Sequence, residues 1–214
     1  MPHPHGRKRR PQLAGGATLV AMAAVALSAC QLGQRPTITN ERQADPAVQA
    51  VAGLLEQAEA NGDFTATYQI TPTLLDAPTV DASVVSSGET TAITVGQVLY
   101  VIDSGVGQTC NIDRTQCEPG VNDARVSDLS ITHTFWADSA AARLRNDAGR
   151  TIGTPQAQPE TVADQPTTCV DIPVAGGTIV YCALEAGPLA RYRGADTSIE
   201  LTSFTAGAVA PADT

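Results

Sequence analysis

Apolar positions follow three different patterns along this 214-residue chain. Leu13–Ala29 is an unbroken run of apolar and small residues, preceded by the basic cluster Arg7-Lys8-Arg9-Arg10. From Asp45 to Asn61 the spacing becomes helical. Val48, Val51, Leu55 and Ala58, with Leu54 beside them, form one stripe, and Glu56 and Glu59 lie off it. Asp45-Pro46 supplies an N-cap and a proline at the first helical position, and Asn61-Gly62 supplies the stop. From Phe64 the period drops to two. Phe64, Ala66, Tyr68 and Ile70 alternate with threonines and Gln69, which is the pattern of a half-buried strand.

Further strands are predicted at Val80–Val85, and at Thr91–Val95 and Val98–Ile102 as a hairpin around Gly96-Gln97. Residues 106–124 are rich in turn formers and read as a short disulfide-closed loop, followed by an irregular apolar segment from Val126 through Leu129 to Trp136. Asp138 is placed to cap a short helix through Ala141 and Leu144 to Asp147, with Gly149 as its stop. The remainder predicts strands at Thr151–Val162, Thr168–Val174, Thr178–Leu184, Leu189–Tyr192 and Ser198–Phe204, with turns at Gln165-Pro166, Gly176-Gly177, Gly187-Pro188 and Gly194. Consecutive strands joined by short turns form an antiparallel meander. The expected fold is α+β: one curved, half-barrel-like antiparallel β-sheet packed against the N-terminal helix and a short second helix.

The first apolar run changes the picture of the whole chain. Its basic flank, its length of only 17 residues and its small residues before Cys30 fit a secretory signal better than a membrane-spanning helix. Leu27-Ser28-Ala29-Cys30 reads as a lipobox, which makes Cys30 the lipidated N-terminus of the mature chain. Two acyl chains, at about 0.8 kcal/mol per buried CH₂, anchor stably where one binds only marginally. The organisation expected is a signal peptide over 1–29, a lipidated tether over 30–44, one α+β domain over 45–206 and a disordered tail over 207–214. The location expected is the extracytoplasmic face of the cell membrane, held by a diacylglyceryl group on Cys30, with the export route open between the general and twin-arginine pathways.

Four of the thirteen basic residues and none of the 22 acids precede Cys30, so the mature chain carries nine against 22, a net charge of −13. Such a surface repels phosphate backbones and excludes nucleic acid as a partner. With Cys30 assigned to lipid, Cys110, Cys117, Cys169 and Cys182 remain, an even number in an exported chain, and disulfides are expected. The local pairing, Cys110–Cys117 and Cys169–Cys182, is favoured among three connectivities. For the second pair, a two-residue turn at Ala175-Gly176 puts Cys169 opposite Cys182 in a non-hydrogen-bonded pair, about 4.5 Å apart at Cα. Chain-entropy estimates give roughly 2.5 and 3 kcal/mol for the two bridges.

No catalytic motif is present: no G-x-S-x-G elbow, no H-E-x-x-H, no P-loop and no dinucleotide fingerprint. The mature chain has a single histidine, His133, which reads as structural rather than as a base beside a serine. Asp113, Glu118 and Asp123 are candidate calcium ligands by type, but their spacing matches no EF-hand loop and they read as solvated loop acids. No metal and no cofactor are expected. Trp136, Tyr100 and Phe64 are candidates to line an apolar pocket or simply to fill the core.

Three stretches carry a family resemblance: Gly53-Leu54-Leu55-Glu56-Gln57-Ala58, then Gln97-Val98-Leu99-Tyr100-Val101, and the end from Tyr181 to Phe204. Together with the lipobox and tether, they make the chain resemble the actinobacterial LprG/LppX-type envelope lipoproteins, and more distantly the LolA-like fold. The resemblance implies a curved sheet with a helix against its concave face, and acylated lipid held in a cavity between them. The region 106–149 departs from that pattern. The functional expectation is a membrane-anchored, non-enzymatic envelope lipoprotein that binds or carries an apolar (lipid) ligand. The alternative is a scaffold or sensor that contacts a protein partner and has no ligand cavity.

Overall fold

The computed structural model describes residues 45–73, 78–126, 131–137 and 139–207, with side chains at all of these except 58–61 and 137. Cys30, the residues expected as signal peptide (1–29) and tether (30–44), Leu129, Asp138 and residues 208–214 lie outside the described residues.

Helix α1 (Pro46–Asn61) starts where the sequence caps it. Asp45 Oδ1 accepts from the Ala47 amide at 2.9 Å, and the Asp45 carbonyl accepts from Gln49 N at 2.9 Å. Val48, Val51 and Leu55, the stripe read from the spacing, are all buried. The strands follow in order: β1 (Phe64–Pro72), β2 (Val80–Ser87), β3 (Thr90–Val95), β4 (Val98–Asp103), β5 (Val106–Asn111) and β6 (Cys117–Pro119). One 3-10 turn (Asp123–Arg125), α2 (His133–Ala137) and α3 (Ala140–Ala148) separate these from β7 (Gln156–Val162), β8 (Gln165–Val174), β9 (Gly177–Leu184), β10 (Leu189–Arg193) and β11 (Thr197–Ala206).

All eleven strands belong to one curved antiparallel sheet, ordered β6-β5-β4-β3-β2-β1-β11-β10-β9-β8-β7. Two meanders therefore meet at β1 and β11, which pair over nine positions from Phe64↔Ala206 to Pro72↔Thr197, with a bulge between Thr67 and Tyr68. The fold class is α+β, as the sequence predicts, with one helix more than expected.

Three local expectations are corrected. Residues 106–124 are not simply a loop, because β5 pairs with β4 over all six of its residues and β6 pairs with β5. Gly107, Gln108 and Thr109 carry no apolar alternation, because the buried position among them is filled by the hydroxyl side chain of Thr109 and Gly107 has no side chain. The helix α3 is capped by Ser139, whose side chain accepts from Ala142 N at 3.1 Å. The β7–β8 turn is Ala163-Asp164, with Val162 opposite Gln165, so Gln165-Pro166 opens the next strand.

Both disulfides are cross-strand pairs. Cys110 faces Cys117 and Cys169 faces Cys182 in register, with Cα separations of 4.0 and 3.9 Å. The two-residue turn at Ala175-Gly176 fixes the second register, with Val174 opposite Gly177.

Packing follows from the sheet's alternation. On one face Ala66, Val84, Ile93 and Tyr100 stand opposite one another across β1–β4, and they join Tyr68, Ile70, Ile199 and Leu201 in one cluster. Val170, Ile172, Ile179, Tyr181 and Ala183 of β8 and β9 pack against Val48, Val51 and Leu55 of α1 and Ala141 and Leu144 of α3. Ala92, Leu99 and Cys110 form a small third cluster. Tyr181 donates to Asp147 Oδ2 at 2.7 Å, tying β9 to α3 beneath the helices.

Candidate ligand pocket

The first two clusters leave a cavity between them. It has a volume of about 420 Å³. The sheet contributes Phe64 and Tyr68 from β1, Val84 from β2, Ile93 from β3 and Ile102 from β4. Leu55 of α1 and Leu189 of β10 form a second side, and His133, Phe135 and Trp136 of α2 form a third. The alternation of β1–β4 places the sheet residues there, because one face of each strand must find an apolar environment. Among the described residues, no Asp, Glu, Lys or Arg lines the cavity.

Aromatic contacts hold the α2 side in place. Trp136 lies 4.7 Å from Tyr68 between ring centroids and 5.0 Å, edge to face, from Phe135. Phe135 lies 5.4 Å from Tyr192, which packs on Tyr181 at 5.1 Å. Tyr68 donates to the Leu189 carbonyl at 3.0 Å, joining β1 to β10 inside the core, and burial pushes its phenol far above the ordinary tyrosine range. Outside α2, the Arg143 guanidinium sits 4.0 Å from the centre of the Phe135 ring and donates to the Phe135 carbonyl at 2.8 Å. A cation over an aromatic face adds roughly 0.5–2 kcal/mol, so Arg143 braces the short helix from behind. At the other end Asp123 Oδ1 accepts from the His133 amide at 3.1 Å.

Two of the three aromatic candidates, Trp136 and Phe64, line the cavity. Tyr100 is fully buried behind it, against the His133 ring at 5.6 Å. Burial and the nearby Asp123 carboxylate push the Tyr100 phenol up to about 12. The Tyr100 hydroxyl makes no hydrogen bond of ordinary geometry among the described residues. His133 Nδ1 and Trp136 Nε1 are likewise shut off from solvent without a partner. Ser139, the serine of the α2–α3 junction that lines the cavity, spends its oxygen on the α3 cap.

The three loop acids do not converge. Asp113 Oδ1 takes the Thr115 amide and hydroxyl, at 3.1 and 2.8 Å, which lowers its pKa. Glu118 accepts from Asn122 at 2.9 Å, and Asp123 serves His133. Among the described residues one set, Glu160, Cys169 and Cys182, has metal-ligand composition. Its sulfurs are bonded to each other and Glu160 is paired with Arg191 at 2.5 Å, so it offers no ligands.

A second hollow of about 710 Å³ has a mixed lining, with Thr67, Asp81, Ser83, Thr94 and Gln97 beside Val80, Ala82 and Ile112. Its Asp81 carboxylate makes it the less suited of the two to an apolar ligand. Sequence reasoning missed Leu55, Ile93 and Leu189 as lining residues. Each was legible as core, but only the packing of α1, β3 and β10 around one space makes them a wall.

No protein-family model matches the chain, and no curated protein matches it in sequence. Among solved structures it is similar to MucB, described in complex with MucA(peri), at 14% identity and a TM-score of 0.45, covering 78% of this chain and 57% of that one. It is also similar to PNGF-II in two crystal forms, at 9% and 8% identity and TM-scores of 0.34 and 0.33, covering 67% of this chain and 27% and 28% of those. The chain thus spans little more than half of the first of these and about a quarter of the others. Likenesses of this size carry no functional argument, and the pocket must be read from its own chemistry.

Proposed function

We propose that this chain is an envelope lipoprotein, anchored through Cys30, that binds an apolar ligand in the pocket walled by β1–β4, α1 and α2 without transforming it. The single observation that carries the reading is a cavity of about 420 Å³ whose lining is more apolar than polar and holds no Asp, Glu, Lys or Arg among the described residues. Small-molecule sites span roughly 300–1,000 Å³, which puts this one at the lower end. It suits one acyl chain or a compact ring system rather than a multi-acyl lipid. The non-catalytic part of the proposal rests on His133, whose free ring nitrogen meets no serine or carboxylate.

The protein carries its own reporter. Trp136 is the one tryptophan in the sequence and stands in the pocket wall. Titrating the purified chain with a neutral C16 hydrocarbon or ester should shift Trp136 emission saturably, at one equivalent. Thr91→Phe, at a half-buried lining position on β3, should abolish that change and move the melting temperature by no more than a few degrees. An emission spectrum indifferent to every apolar probe would refute the reading.

A second reading has one observation in its favour. Val106 is 75% exposed, and Ile112 and Val121 are also exposed around the β5–β6 edge, as a contact surface for a protein partner would be. Charged substitutions at Val106 and Val121 would remove a partner crosslink in cells and leave the Trp136 titration unchanged.

A further inference from the structure

The pocket's α2 wall holds an unmet chemical demand. Six buried side-chain polar atoms lack a partner among the described residues, and two belong to rings that line this cavity: Nε1 of Trp136 and Nδ1 of His133. A third, the Tyr100 hydroxyl, lies directly behind His133. Native structures leave few such groups, and each calls for a physical reason. Indole N–H can only donate, and imidazole Nδ1 donates in one of its tautomers. Both rings belong to the same wall but neither nitrogen faces the open space as it stands, so an oxygen seated against α2 becomes their partner only when the ring turns toward it.

The charge of that oxygen can also be argued. None of the lining residues is Arg or Lys. The carboxylate of Asp123 stands beside this wall, bound to the His133 amide. Arg125 is occupied by Asn111, and Arg143 lies across the face of Phe135, outside the lining, with Nη2 on main-chain carbonyls and Nη1 without a partner among the described residues. An anionic head in this pocket would lose its water without gaining a counter-ion, which is costly. A neutral acceptor would lose less and would satisfy both donors.

We infer, on the footing of the pocket reading above, that the ligand is a neutral single-chain lipid bearing an oxygen acceptor, a long-chain alcohol or acyl ester, with that oxygen on Trp136 and His133. The test uses the full chain carrying Cys30→Ser, so that its own acyl groups do not compete. The neutral fluorophore N-phenyl-1-naphthylamine is displaced at pH 8 by hexadecane, hexadecanol, monopalmitoylglycerol or palmitate. Hexadecanol and monopalmitoylglycerol should compete about two- to tenfold better than hexadecane, the gain that one net hydrogen bond supplies, and palmitate should compete worse than either. Trp136→Phe keeps an aromatic ring and removes the N–H, and should bring the ratio of hexadecanol to hexadecane competition down towards one, whatever it does to hexadecane itself. His133→Phe is an independent second variant and should narrow the same gap. Equal competition by hexadecane and hexadecanol, or palmitate as the strongest competitor, would overturn the inference and leave the apolar pocket standing. Failure of the fluorophore and of every lipid to bind would sink the pocket itself.

Discussion

The turn between β7 and β8 holds Ala163 at φ 49° and Asp164 at φ 59°, the left-handed pair that a two-residue hairpin turn requires. Asp tolerates that region, and alanine does so only against its Cβ. Ala163→Gly should therefore raise stability by about 0.5 kcal/mol after the extra backbone entropy of glycine is counted. That is a rise in melting temperature of roughly 1–2 °C for a domain of this size, checked by thermal denaturation; a fall would mean that the partly buried methyl matters more than the backbone. A second residue-scale prediction concerns the four tyrosines. Tyr68, Tyr100, Tyr181 and Tyr192 all have phenol pKa values raised first of all by burial. Folded protein then holds protons that unfolded protein releases near pH 10. The stability that these phenols protect is complete below about pH 10 and is lost as pH rises above it, towards about 12 for Tyr100. Absorbance at 295 nm should show no phenolate step near pH 10 in the folded state, and phenolate should appear together with loss of the far-ultraviolet signal. An early, separate step would contradict the burial of these rings.

Among the elements, the two disulfide hairpins differ in how well they are hidden. Cys169 and Cys182 are fully buried, whereas Cys117 is exposed on the short edge strand β6. Mild reductant under native conditions should open Cys110–Cys117 and leave Cys169–Cys182 closed until the domain unfolds, as mapped by alkylation and mass spectrometry; labelling of Cys169 at the same rate as Cys117 would refute this. The same contrast governs what the sequence could show. β8 and β9 were legible because a short glycine turn joins two largely apolar runs, buried on both faces, and α1 because its stripe and cap agree. β5 escaped detection because its buried Thr109 is polar and Gly107 has no side chain, so the strand shows no apolar period. α2 escaped because five residues are too few to display a helical repeat. The Ala163-Asp164 turn carries none of the glycine or Asn-Gly signals that mark such turns. Trp136 and Phe64 were recognisable singly as pocket candidates. Their meeting with Leu55 and Leu189 depends on contacts between distant elements, which no local pattern encodes.

For the molecule as a whole, the decisive pairing is β1 with β11. Every other pair of adjacent strands in the sheet is close in sequence, and this one joins residues more than 120 positions apart. A chain ending at Asp196 would keep both meanders in sequence and lose the strand that unites them, baring the edges of β1 and β10. It should show no cooperative thermal transition by circular dichroism, and a normal melt from that truncation would show that the halves fold separately. The seam also sets a clock. Tyr68 and Ile70 are made early, but Leu201 and Ile199, their partners across it, emerge only after all the strands between β1 and β11 have been made. Until then no nascent chain can complete its central core. On the proposed export route that delay would be useful, because the order of the strands postpones closure until β11 has been made.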